Sequence, residues 1–402
     1  MTLLRSSDPN VLAAAVVDSL VIASDPGARR AGLGFLHFSQ PWIQAVVSAV
    51  REIQDASIRS LAQRLLDNPQ DPVLYFDLRS QLAKRGEAEP FMAALFDLGW
   101  EAECNSRIGY HLGPLHDNGM AAVSVDELRA SPTGTPLSDS ARPEVLIVVP
   151  FRDRGTGERV RNLLACLLAL RDQSFPRERY RVTVVESDDV PRWRDVISPR
   201  ADHYLFAAKP GAFNKSWAVN AGVVNSPGGA GAICILDADV LVDREFIARN
   251  VARFFRPGTG GHLTYRNMFC LTAAATSSAI RERIFQRAAD PNVDRLRGFL
   301  LRRPPGCCLW VRASAFHRIN GMDERYEGWG GEDNDFACRL DFGAPFDHYD
   351  DWLFHMDHPP SSLLQENGDL INAHIPAMSW RPEQPIGRLD RFVDPSERHT
   401  RR

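Results

Sequence analysis

The chain has 402 residues, 44% hydrophobic and 24% charged, the composition of a water-soluble globular protein with one large domain and a smaller one. A formal net charge of -4 provides no polyanion footprint, so nucleic acid is excluded as the expected partner. Seven cysteines, odd in number and without C-x-x-C spacing, predict free thiols and a cytoplasmic location.

The apolar run Val11–Ala23 is interrupted by Asp18 and Ser19. It is too short and polar to span a bilayer and lacks the basic lead of a signal peptide, so a helix and no membrane span are expected. Residues 1–125 read as a helical region. Gln40–Leu66 has apolar residues at helical spacing, Asp71-Pro72 opens a helix that Gly86 stops, and another runs over Pro90–Leu98. This region could serve homo-oligomerisation, acceptor recognition or simple capping. Residues 126–143, rich in Pro and Ser, read as a linker.

The pattern changes at 144. Val145–Pro150, Tyr180–Ser187 and Ala232–Asp239 are short apolar runs rich in β-branched residues, the signature of strands buried on both faces. Helical stretches separate them, which predicts parallel βαβ units and an α/β domain over 144–360, with a C-terminal extension over 361–402. Ligands in such sheets bind beyond the carboxyl ends of the strands. Arg152, Asp153, Arg154, Glu186, Asp237 and Asp239 fall there.

Four motifs carry chemistry. Asp237-Ala238-Asp239 places two acids at a strand end, where they need a cation. Oxygen ligands of this kind suit Mg²⁺ or Mn²⁺, which also grip diphosphate oxygens. His355 and His358 flank Asp357, and imidazoles added to a carboxylate favour Mn²⁺. Pro210-Gly211 makes a turn before Phe213-Asn214-Lys215, a helix start with a cation suited to phosphate. Finally, Gly328-Trp329-Gly330-Gly331-Glu332-Asp333 puts glycines, which permit close backbone approach, ahead of acids at a helix start.

"PFRDR" (150–154), "FNKSWAVNAG" (213–222), "DAD", "GWGGEDNDF" and the His pair occur in the order seen in animal β-galactosyltransferases. Residues 143–360 thus resemble a metal-dependent, nucleotide-sugar glycosyltransferase of the GT-A fold. The C-terminal part is similar to the galactosyltransferase-type module shared by polypeptide N-acetylgalactosaminyltransferases and chondroitin polymerases. The resemblance implies a Rossmann-type, mostly parallel sheet. It also implies that Phe151, Arg152 and Arg154 line the nucleotide site, with Phe213 against the base and Lys215 near the phosphates. Asp239 would be the direct metal ligand, joined by His358 and then His355, with Asp237 near the ribose or a metal-bound water. Trp329 and Gly330 would close over donor and acceptor, and Glu332 and Asp333 would hold the acceptor. Asp333 would be the general base in an inverting enzyme and a clamp in a retaining one.

The chain departs from that family at Asn334, where the galactosyltransferases carry another acid, and over Thr259–Pro305, a segment without a counterpart. The expected function is transfer of a sugar from a UDP- or GDP-sugar to a hydroxyl or thiol, on a small molecule or on a saccharide chain. Arg in excess over Lys, with abundant Ala, Gly and Pro, suggests a bacterial source. A non-catalytic nucleotide-sugar-binding protein is the rival of another class.

Overall fold

The computed structural model describes residues 5–86, 90–155, 157–328, 330–359 and 371–393. Its helices are α1 (Pro9–Ser24), α2 (Pro26–Arg51), α3 (Ala56–Asp67), α4 (Pro72–Arg85), α5 (Pro90–Asn105), α6 (Val125–Arg129), α7 (Glu158–Arg171), α8 (Arg194–Ile197), α9 (Lys215–Asn225), α10 (Phe246–Arg253), α11 (Ala273–Ile280), α12 (Ala313–Arg318) and α13 (Glu332–Gly343). Its strands are β1 (Ile108–Leu112), β2 (Val145–Phe151), β3 (Tyr180–Glu186), β4 (His203–Phe206), β5 (Ala232–Leu236), β6 (Val240–Leu241), β7 (Gly261–Leu263), β8 (Asn267–Leu271), β9 (Arg297–Arg302), β10 (Cys308–Arg312), β11 (Phe346–His348) and β12 (Leu353–His355).

The chain divides into two compact units. The first comprises Met1–Met120, Asn267–Ser278 and Asn292–Pro304. Three of its helices start on an Asp cap followed by Pro. Asp8, Asp25 and Asp71 accept from the amides of Asn10, Gly27 and Val73, and Pro at the first helical position removes a donor that would be unpaired anyway. Gly86, at φ 58°, ends α4 as expected. The apolar face of α1 is core, with Val16, Val17, Leu20 and Val21 fully buried. No single helix among the described residues is long and apolar enough to cross a membrane.

Two expectations need correction here. Gln40–Leu66, read as helical by its apolar spacing, holds a break: α2 ends at Arg51, and Asp55 caps a separate α3 through the amides of Ser57 and Ile58. A periodic apolar face continued past this break and hid it. The amino-terminal region is also not purely helical, because β1 pairs antiparallel with β9, which pairs antiparallel with β8. Both partner strands come from the 259–305 segment that had no counterpart.

The second unit comprises Ala121–Arg266, Ala279–Pro291 and Pro305–Arg402. The stretch read as linker begins inside α6, which Ser124 and Glu127 close with a reciprocal capping box. A seven-stranded sheet follows in the order β11-β7-β10-β5-β2-β3-β4. β2 is parallel to both β3 and β5, and β3 to β4. β10 runs antiparallel to its neighbours β5 and β7, so the sheet is mostly parallel as expected. Every residue of β2 and β3 is buried, as the unbroken apolar run of β2 requires, and in β3 the buried Arg181 is bonded to the Ser138 carbonyl at 2.6 Å. α9 lies tightly on them: a Cβ on Gly222 would come within 2.5 Å of Val148 and 2.8 Å of Val185.

The chain runs outward from β2 through β3 and β4, then returns to place β5 on the other side of β2. That reversal opens a crevice beyond the carboxyl ends of β2 and β5. The antiparallel β10 enters at the same edge, with Cys308 opposite Leu236.

Candidate active site

Asp237 and Asp239 occupy the tight turn between β5 and β6. The amide of Asp237 donates to the Cys307 carbonyl at 2.8 Å, and the Asp239 carbonyl accepts from Met356 at 2.8 Å. The β6–β12 ladder sets His355 opposite Val240, and so carries its ring to Asp239. His355 Nε2 lies 3.5 Å from Asp239 Oδ1, and His358 Nε2 lies 2.8 Å from Asp239 Oδ2. The three form a cluster able to hold one cation.

The fit of a metal can be judged from one atom. Asp239 Oδ1 is buried and makes no hydrogen bond, a costly state for a carboxylate oxygen that a cation would relieve. One carboxylate and two imidazoles favour Mn²⁺ over Mg²⁺. Burial opposes ionisation of Asp239, but the two imidazoles outweigh it and hold the carboxyl far below its usual range. Burial drops His355 to about 4, so its ring is neutral and ready to ligate at neutral pH. His358 is also disfavoured by burial, yet Asp239 raises it above its usual value. The His358 Nδ1 atom lies 2.8 Å from the Pro359 carbonyl, a contact that fixes the ring and would leave Nε2 to face a cation.

A second trio, Lys215, Asp237 and Asp333, includes the other acid of the same turn, two residues before Asp239. Asn214 caps α9 by accepting from the Trp217 amide at 2.7 Å, which sets Lys215 at the helix start. Lys215 Nζ lies 2.9 Å from Asp237 Oδ1 and 3.0 Å from Asp333 Oδ2. Burial would lower the ammonium, but Asp237 and Asp333 raise it well above the usual lysine value. Burial pushes Asp237 up to about 6 against the pull of Lys215.

Asp333 comes from the first turn of α13. Gly331, at φ 97°, opens that helix in a left-handed conformation, and a Cβ there would meet Tyr326 at 2.7 Å. Glu332 folds back to accept from the Gly330 amide at 3.1 Å. Burial, reinforced by Asp333, raises its carboxyl to about 7. Gly328 donates to the Phe213 carbonyl at 2.7 Å, tying this loop to the Lys215 loop. Trp329 lies outside the described residues.

Other expected site residues are used differently. Phe151 is only 2% exposed and belongs to the core, because β2 is covered on both faces. Glu186 is spent within the fold, accepting from the Tyr204 hydroxyl at 2.5 Å and the Trp193 amide at 3.1 Å. Arg152 donates to three carbonyls, of Ser187, Lys209 and Gly211, and its guanidinium lies 5.3 Å over the Phe213 ring. It therefore shapes the 209–213 loop. Arg154 pairs with the buried Asp188 at 2.7 Å at a half-exposed edge.

Sequence reading missed three contributors. Gly306 and Cys307 back the second trio: a Cβ on Gly306 would fall 2.2 Å from Asp333 Oδ2, and the buried Tyr265 hydroxyl donates to the Gly306 carbonyl. The left-handed Cys307, at φ 67°, carries no signal in a vicinal Cys pair. Asn372 belongs to the stretch read as an extension. It donates to the Gly330 carbonyl at 2.8 Å and accepts from the Glu327 amide at 3.3 Å, bracing the glycine loop.

Residues 146–319 match the family model described as glycosyl transferase family 2, and residues 302–343 match the model described as the N-terminal domain of galactosyltransferase. No curated protein matches the chain. Among solved structures it is similar to a mannosyltransferase from Pyrobaculum calidifontis in complex with GDP-Man and Mn²⁺. That likeness has 17% identity and a TM-score of 0.36, over 57% of this chain and 61% of the other. It is similar to the catalytic domain of Drosophila β1,4-galactosyltransferase 7 in complex with xylobiose, with 19% identity and a TM-score of 0.31, over 51% and 64%. It is also similar to S. aureus TarS 1–349 in complex with UDP-GlcNAc, with 11% identity and a TM-score of 0.38, over 54% and 59%. The chain spans less than two thirds of the length of each.

Proposed function

We propose that this chain, which carries a glycosyl transferase family 2 domain over residues 146–319, transfers a sugar from a nucleoside-diphosphate sugar to an acceptor hydroxyl or thiol. The observation that carries the reading is the juxtaposition of two trios at one sheet crevice. Asp239, His355 and His358 offer a cation site, and Lys215 joins Asp237 to Asp333 beside it. A diphosphate leaving group needs positive charge, and an acceptor needs a base; the crevice offers both.

Bound at Asp239, His358 and His355, Mn²⁺ or Mg²⁺ would neutralise charge developing on the leaving diphosphate. Lys215 adds a second positive charge from the start of α9, where helix amides also favour phosphate. Asp333 takes the proton of the acceptor nucleophile in an inverting reaction, and must reach within about 3 Å of it, directly or through one water. The glycine loop over 328–331, braced by Asn372, positions Glu332 and Asp333. The proposed acceptor is a small molecule, and the proposed location is cytoplasmic, in keeping with seven cysteines that are all free.

A thermal-shift screen of UDP- and GDP-sugars with Mn²⁺ tests this, since a ligand of the folded state raises the unfolding midpoint. The expected result is a Mn²⁺-dependent rise with one donor, lost in Asp239→Ala. An absence of any metal-dependent rise across the donors would overturn the reading.

A further inference from the structure

We infer that Arg161 and Asn162, in the first turns of α7, are positioning residues that set the direction of the proposed metal ligand His358. The inference rests on the metal site proposed above. α7 is otherwise apolar at its buried positions, with Leu163, Leu164, Ala165, Cys166 and Leu167 in the core. Asn162 is nevertheless fully buried and Arg161 is 8% exposed. Buried polar groups at such positions are costly unless fully bonded.

Their bonds converge on one backbone segment. Arg161 Nε and Nη2 donate to Asn162 Oδ1 at 3.0 and 2.8 Å. With its oxygen taken, Asn162 turns Nδ2 to the carbonyls of Asp357 at 3.1 Å and Met356 at 3.4 Å. Arg161 Nη2 also donates to the Asp357 carbonyl at 2.8 Å. One turn earlier, Arg159 Nη2 donates to the Pro359 carbonyl at 2.8 Å, the same oxygen that faces His358 Nδ1.

The reason for this grip lies in the backbone. β12 ends at His355, and residues 356–359 belong to no helix or strand. The ladder with β6 therefore orients His355 but not His358. α7 side chains provide the donors that a strand would otherwise supply, and so hold His358 at its angle to Asp239.

The test measures Mn²⁺ affinity of the full chain by the electron paramagnetic resonance signal of free Mn²⁺, without donor or acceptor. Asn162→Ala and Arg161→Met are each expected to weaken binding about 10- to 100-fold, the usual cost of losing an outer-shell partner of a metal ligand. Leu167→Ala, a buried apolar change on the same helix that removes none of these hydrogen bonds, is expected to lower the melting midpoint and leave Mn²⁺ affinity unchanged. Arg161→Met carries the test if the fully buried Asn162 cannot be replaced without unfolding. Wild-type affinity in the polar variants, or an equal loss in Leu167→Ala, would overturn the positioning role while the metal site stands. Wild-type affinity in Asp239→Ala would overturn the metal site and this inference with it.

Discussion

The ammonium of Lys215 lies 3.0 Å from Asp333 Oδ2, across 118 residues of sequence. The same ammonium lies 2.9 Å from Asp237 Oδ1, so one cation holds together two carboxylates that would otherwise repel. Lys215→Met should leave both acids without their shared partner. Breaking a buried ion pair from one side costs about 3–5 kcal/mol, and here less, because Asp237 and Asp333 keep 22% and 24% of their side-chain surface exposed. A lowered melting midpoint and weakened nucleoside-diphosphate binding are expected. A wild-type melt would show that the contact adds nothing.

Asp333→Asn should separate binding from chemistry. The amide can still face Lys215 through its oxygen, so nucleotide binding with Mn²⁺ should persist. A lost general base typically costs about 10²- to 10⁴-fold in rate. Transfer measured at saturating donor should fall by that order, with the nucleotide dissociation constant held. Full turnover would leave Asp333 a clamp for the acceptor.

Gly306→Ala should act on Asp333 from behind. The added Cβ would fall 2.2 Å from Asp333 Oδ2, far inside contact distance, and Tyr265 fixes the Gly306 carbonyl. Asp333 must therefore move, and a displacement of about 1 Å at a reacting group can cost about 10²-fold. Transfer is expected to drop while Mn²⁺ binding at Asp239 stays intact. Equal transfer rates in variant and wild type would mean that the carboxylate does not need this position.

The parts legible in sequence were those governed by local rules. Short runs rich in apolar and β-branched residues identified β2, β3 and β5, and Asp71, Pro72 and Gly86 framed α4 through cap chemistry. Asp239 with His355 and His358 was legible because few other uses explain two imidazoles after a D-x-D turn. What escaped depends on long-range pairing. Phe151 and Glu186 sit at strand ends that look alike in sequence, yet one is core and the other is bonded to Tyr204 and Trp193. Asn372 acts on Gly330 from 42 residues away, and no local pattern marks it. β9 pairs with β1 on one side and with β8 on the other, and that pairing has no trace in periodicity.

Glu332→Gln should reveal a pH-dependent cost built into the glycine loop. Burial, aided by Asp333, raises the Glu332 carboxyl in the folded chain to about 7, above the 4.5 of an unperturbed glutamate. Above pH 7 both folded and unfolded chains hold it ionised, so the penalty of the buried charge is felt in full. Between pH 7 and 4.5 the folded chain binds a proton that the unfolded chain releases, and stability rises as pH falls. Below 4.5 both states are protonated and the penalty is gone. The glutamine variant carries no such charge. Its stability advantage over wild type, measured by urea unfolding with EDTA present, should therefore grow from pH 4.5 to 7 and level off above. A gap independent of pH across that window would show that Glu332 titrates normally and that Gly330 is not paired with a strained acid.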